Sequence, residues 1–489
     1  MKKILRITLI FGLIVYTTTG CKYDKQDPQF NGYPDDVGKI MLLKCAVSGC
    51  HNTVSASGAA GLDLSTWDKL FEGSRYHNAA VVPYSHDFSF LLSSINSYPD
   101  LGSQLKPLMP VNNTQLTRDE IILLRNWVAN GAPDKNGNVK WAGDLNRKKI
   151  YVANQGCDQV SVFDVDTRHL IRYVSVGVSP AIEVPHSLTV SPDKNFWYVT
   201  FVGNSIIEKY RCSDDTKVGQ IDLGDLGWHT MSITADSRIG LAVNLSGDGK
   251  VSLIDLETMT LIQKYQGSGL FRFPHGCVIN QNGTIAYVTA SLGNFIYKLN
   301  ITDPLNPDIT ELVLRAGDTP NAANHQFSPH QIRFSPDYSR YYVSAESADE
   351  IRVYNAANDS LITCIPTCED PEEMVFSLTT PYMFVSSYQD SSHFAPNQGC
   401  ISVLNYETNT FIKNIYSGYQ PHQMVIDDEK GYVLIANRNI STTGPAPHHT
   451  SVCGGRNGYV TAIDLSTLEL LPDFKVEVSV DPYCVDIRK

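Results

Sequence analysis

The segment Cys45-Ala-Val-Ser-Gly-Cys50-His51 places two thiols near each other and an imidazole directly after the second. Thiols so placed can close a small disulfide loop. They can also be alkylated by the vinyl groups of haem, and the adjacent histidine then becomes an axial iron ligand. The gap of four residues, instead of the commoner two, leaves both chemistries open at this point. A second set of ligand-type side chains is spread along the rest of the chain: His186, His229, His275, His330 and His422 each follow Pro or Trp at the start of a strand-like segment. Imidazole is the commonest metal ligand, and five of them brought to one place could hold an ion.

The chain has 489 residues, of which 42% are hydrophobic, and a formal charge of −12. Length predicts more than one domain. At the start, Lys2, Lys3 and Arg6 precede an apolar run from Ile7 to Tyr16, a charged and then apolar leader too short to span a bilayer. Residues 1–20 therefore read as a signal peptide and the protein as exported. Thr18-Thr19-Gly20-Cys21 resembles the lipobox of bacterial lipoproteins, which implies lipidation of Cys21 and a membrane anchor facing the periplasm or cell surface. The other reading is an ordinary cleaved signal followed by a chance cysteine. Loss of the leader makes the chain more acidic, which argues against nucleic acid as a partner.

Residues 21–33 are polar and read as a tether. From Val37 to Leu43 an apolar pattern of helical period leads into Cys45. Further on come Met109-Pro110 and then Leu116-Thr117-Arg118-Asp119-Glu120, where Thr117 and Glu120 form a capping box and Leu116 with Ile121 a hydrophobic staple. The helix so started carries Ile121, Leu124, Trp127 and Val128 and stops at Gly131. This order over residues 34–143 resembles a small, all-α class I-like cytochrome c. The resemblance implies one haem c, with thioethers to Cys45 and Cys50, His51 as proximal ligand and Met109 as distal ligand, a pair suited to electron transfer. Met109 as an ordinary core methionine, and His77 or His86 in its place, are the competing readings.

After a turn-rich linker at Pro133–Gly137 the chain repeats itself. One element recurs as Pro185-His186-Ser-Leu-Thr-Val, Trp228-His229-Thr-Met-Ser-Ile, Pro274-His275-Gly-Cys-Val-Ile, Pro329-His330-Gln-Ile-Arg-Phe, Pro371-Glu372-Glu-Met-Val-Phe, Pro421-His422-Gln-Met-Val-Ile and Pro482-Tyr483-Cys-Val-Asp-Ile. A second element follows it (Trp197-Tyr-Val-Thr, Ala286-Tyr-Val-Thr, Tyr341-Tyr-Val-Ser), and a third ends in Asp-Val-Asp-Thr167 or Asp-Leu-Glu-Thr258 turns. Successive starts lie 42 to 61 residues apart, the size of a four-stranded propeller blade with its loops. The first unit lacks an opening strand and the last has only that strand, so the two chain ends complete one blade. Residues 144–489 are thus an all-β, seven-bladed propeller that resembles the YVTN family of bacterial propellers.

In such a fold the opening strands line the central channel, so the five histidines, with Glu372 and Tyr483 in the other two places, are expected to ring its mouth. Nine of the ten propeller histidines, and Cys157, Cys368, Cys400 and Cys453, fall on that face; Cys368 and Cys400 are a candidate disulfide. Either the histidines close the funnel by hydrogen bonding, or they hold a second metal or a small-molecule ligand. The resulting reading is an exported, lipid-anchored electron-transfer cytochrome with a redox partner protein and a propeller as docking or substrate platform. An oxidoreductase working at the histidine-lined mouth is the alternative, and a surface-binding scaffold without redox role the second alternative.

Overall fold

The computed structural model describes residues 29–489 apart from 76–78, 112–113, 396–397 and 448–452. The leader, Cys21, His77, His448 and His449 lie outside the described residues. Residues 29–148 contain helices and loops and, among the described residues, no strand. An α-helix at Asp35–Ile40 runs on as a π-helical turn, Met41–Cys45, which delivers Cys45 to the core. The last helix, Arg118–Ala129, starts on the expected capping box: the Thr117 hydroxyl accepts from the Glu120 amide, and the Glu120 carboxylate accepts from the Thr117 amide. Both staple residues, Leu116 and Ile121, are buried, and Gly131 adopts the positive φ that ends the helix.

The expected tether is corrected at its end. Tyr33 is buried, stands edge-on to Trp127 at 6.2 Å, and donates from its hydroxyl to the Leu64 and Thr66 carbonyls. A large ring with one polar tip is stabilised by this mixed burial, so the helical unit starts by residue 30 and not at 34.

The remainder forms seven four-stranded antiparallel sheets. The blade that closes the ring pairs Lys149–Asn154 with the last strand, Pro482–Arg488. Closure in this manner leaves no open sheet end within the ring. Each blade interior carries alternating aliphatic and aromatic side chains; Trp197, for example, is fully buried and stacked on Tyr210 at 3.9 Å. The helical unit packs on the outer part of the closing blade and its neighbour. Val82 joins a core with Ile150, Val165 and Phe474, and the Phe88 and Tyr173 rings lie 4.5 Å apart.

Two disulfides are present among the described residues. Cys368–Cys400, the pair the sequence suggested, ties the loop before one blade's first strand to the strand Gln398–Asn405 of that blade. Cys157–Cys453 links the closing blade to the one before it across 296 residues of sequence.

Candidate functional site

The first candidate site lies in the helical unit. Cys45 is buried and Cys50 half-buried, and neither is disulfide-bonded. Burial pushes the Cys45 thiol up to about 12, so it is a neutral thiol in the folded chain. The turn between the thiols closes when the His51 amide donates to the Cys45 carbonyl at 3.2 Å. His51 Nδ1 lies 3.2 Å from the Leu62 carbonyl oxygen, which can only accept. The proton therefore sits on Nδ1 and the Nε2 lone pair is left for a ligand, the arrangement seen when a histidine binds iron or zinc. Met109 is half-buried against the same core that contains Cys45, and its amide donates to the Ser94 carbonyl at 2.8 Å. His86 is engaged elsewhere, 3.0 Å from the Arg125 guanidinium and 2.8 Å from Asp87.

The second candidate site is the propeller axis. In six blades the ladder between first and second strands slips between the leading Pro or Trp and the fourth residue, and in the closing blade between Pro482 and Cys484. A bulge of this kind re-aims the side chain it contains. Here that side chain is the second residue: His186, His229, His275, His330, Glu372, His422 or Tyr483. The residue before each first strand also has positive φ: Val184, Gly227, Phe273, Ser328, Asp370, Gln420 and Asp481. Six of the seven are not glycine, and a positive φ at Val184 or Phe273 is costly backbone held by its surroundings.

The seven side chains ring the axis, as expected from sequence, and meet across it; His275 Nδ1 lies 3.3 Å from the His330 carbonyl and His422 Nδ1 3.0 Å from the Tyr483 carbonyl of the next blade, as the funnel-closing reading expects. His186 lies 4.2 Å from His229 and 4.4 Å from Tyr483, ring to ring; His275 lies 4.2 Å from His330; His422 stacks on Tyr483 at 3.6 Å. All but His229 and Glu372 are buried. The physical reason is convergence: seven strand ends tilt toward one axis, and rings aimed inward by the bulge span the remaining width. A cavity of about 500 Å3 extends from this plug along the axis to the turns at Pro336, Tyr338 and Leu378. It is therefore lined from the opposite side of the ring to the Pro-His entries. Gln331, Arg333, Glu373 and Asp486 stand along its wall, with the Gln331 amide donating to both Glu373 carboxylate oxygens at 3.0 Å. These four escaped the sequence reading, although all belong to first strands, Gln331 and Arg333 after His330, Glu373 after Glu372 and Asp486 after Tyr483.

Burial governs the titration of this region. It lowers His229 to about 3 and His330 to about 4, and takes His186, His275 and His422 well below the ordinary imidazole value. It raises Glu346 to about 7 and raises Glu372, Glu373 and Asp486. The imidazoles, neutral when folded, lose stability as pH falls below their unfolded value of about 6.5. Glu346, raised to about 7, gains stability over the same descent until its unfolded value near ~4 is reached, and the raised Glu372, Glu373 and Asp486 act in the same direction. The two trends oppose each other from about pH 6.5 to about 4.5, and only the loss continues below. Melting temperature measured against pH should accordingly be shallow in the upper window and fall steeply beneath it.

No protein-family model matches the chain, and no curated protein does. Among solved structures it is similar to a functionally unknown protein from Desulfotomaculum acetoxidans, with a TM-score of 0.52 and 16% identity over 69% of this chain and 98% of that one. It is likewise similar to a candidate 6-phosphogluconolactonase from Bacteroides uniformis, with a TM-score of 0.52 and 16% identity over 70% and 99% of the two chains. Dihydro-heme d1 dehydrogenase NirN in complex with DHE matches at a TM-score of 0.48 and 14% identity, over 71% and 76%. The chain is a seven-bladed β-propeller preceded by a helical unit.

Proposed function

We propose that the protein is an exported c-type cytochrome whose helical unit carries one haem, held covalently by Cys45 and Cys50 and axially by His51, with Met109 as the second axial ligand. The observation that carries this reading is the His51 ring: its Nδ1 proton is given to the Leu62 carbonyl beside two unpaired cysteines, which leaves Nε2 free. The surroundings suit a large flat apolar group. Leu43, Val54 and Val111, within three residues of Cys45, His51 and Met109, are 70%, 91% and 44% exposed. Haem bound there would supply a one-electron iron couple. Cys45, Cys50, His51 and Met109 would hold it, and the Leu62 carbonyl would orient the His51 imidazole.

On this reading the propeller is the platform on which a redox partner protein or a small-molecule donor or acceptor docks, and acylated Cys21 would keep the whole at a membrane face. The test is to make the full chain in cells with haem-ligation machinery and record the alkaline pyridine spectrum of the purified protein. One thioether-type haem per chain is the expected result. A correctly folded chain without covalent haem overturns the reading and leaves a propeller scaffold.

A further inference from the structure

We propose that His330, Glu372 and His422 form a binding site for a divalent transition-metal ion at the propeller axis, separate from the haem. One donor atom from each residue lies within 4.8 Å of the others. His422 Nε2 and Glu372 Oε2 are 3.4 Å apart. That is about the ligand-to-ligand edge of a tetrahedral site with bonds of ~2.1 Å.

Two of the donor atoms are buried and unused. Glu372 Oε2 and His422 Nε2 make no hydrogen bond of good geometry, and both histidines are nine-tenths or more buried. An orphaned polar atom at such depth costs about 1–3 kcal/mol, and here two face one another with His330 beside them. His422 is prepared for the role. Its Nδ1 donates to the Tyr483 carbonyl at 3.0 Å, which places the lone pair on Nε2, and stacking on the Tyr483 ring fixes its plane. The Glu372 backbone is fixed by the Ser344 hydroxyl, which donates to its carbonyl at 2.7 Å.

Chemistry points to this trio ahead of its neighbour. His186, His229 and His275 are also mutually close, but His186 Nδ1 already faces the Gln155 side-chain amide at 2.7 Å, and no anion stands among the three to offset a dication. Glu372 provides that charge when the ion displaces its proton. The cation beside it, Arg438, is held by Asp481 through bonds of 2.6 and 3.0 Å. A third group of ligand-type residues, Cys368, Asp390 and His393, is ruled out because Cys368 is disulfide-bonded. Two imidazoles and a carboxylate suit zinc, ferrous iron or cobalt, with coordination positions left for water or a ligand entering from the axial cavity.

The test is equilibrium dialysis of the metal-stripped full-length protein against Co2+, with cobalt and iron counted separately by elemental analysis. One cobalt per chain is expected, along with a higher melting temperature. Glu372→Gln keeps the side-chain shape and should weaken binding at least ~10-fold, as should His422→Ala, whereas His325→Ala, on an exposed loop, should not. Wild-type protein that is folded by circular dichroism and takes up no cobalt overturns the proposal. So does uptake that Glu372→Gln leaves unchanged. The iron count reports on haem independently, so either reading can fail alone.

Discussion

Protein with alanine at both Cys45 and Cys50 should emerge without covalent haem while its propeller unfolds at the same urea concentration as the wild type. The reasoning is stoichiometric. A thioether needs the cysteine sulfur, these two are the only unpaired thiols described beside His51, and the four other free cysteines described lie in the propeller. Either single substitution keeps one attachment point and should keep haem. Met109→Ala separates attachment from tuning: both thioethers remain, and the reduction potential should fall within the ~0.8 V that axial ligands span. The potential is the informative readout, since loss of a core methionine would alter stability without moving it. Covalent haem in the double variant would remove the assignment of Cys45 and Cys50.

Much of this architecture was legible because it rests on periodic, local signals. The repeated Pro-His entries mark seven first strands, and the missing strand before Ile150 together with the surplus one at Tyr483 already implied closure by the chain ends. Thr117 and Glu120 announced their helix in the same way, three residues apart. What escaped depends on the path of the backbone at particular points. Nothing in the spacing of His186, His229 or His275 shows that a bulge and a positive-φ residue aim each ring at the axis, so the choice between a closed funnel and a ligand-holding ring stayed open. Glu372 looked like a gap in a histidine ring. In place, it is a carboxyl group beside two buried imidazoles. Cys157 and Cys453 could not be paired from sequence at a separation of 296, whereas Cys368 and Cys400 bracket the loops of one blade. Tyr33 was assigned to a tether by its polar neighbours, and only its partners at Leu64 and Thr66 show that it belongs to the core.

Asp215→Asn should destabilise the propeller by about 3–5 kcal/mol, because it strands a buried ammonium group. Lys149, in the first strand after the helical unit, is 5% exposed in its side chain and 2.8 Å from Asp215, which is 2% exposed. Lys149 also donates to the Cys212 carbonyl, and Tyr151 donates its hydroxyl to the second Asp215 oxygen at 3.0 Å. Burial lowers the Lys149 pKa, and Asp215 acts against that shift. Asp215 has φ of 60°, so asparagine is the suitable replacement: it tolerates that conformation and still accepts from Tyr151. The variant therefore changes charge with little change of shape. Adding Lys149→Met removes the stranded charge, and the double variant should recover most of the loss, since a buried pair replaced by apolar or neutral groups is often neutral in stability. Urea unfolding of the three proteins gives the comparison. If the double variant were as unstable as Asp215→Asn alone, the contact would be acting through packing, and the charge argument would fail. Recovery would show that the ion pair holds the closing blade to its neighbour chiefly by electrostatic compensation, at the place where the propeller joins the helical unit.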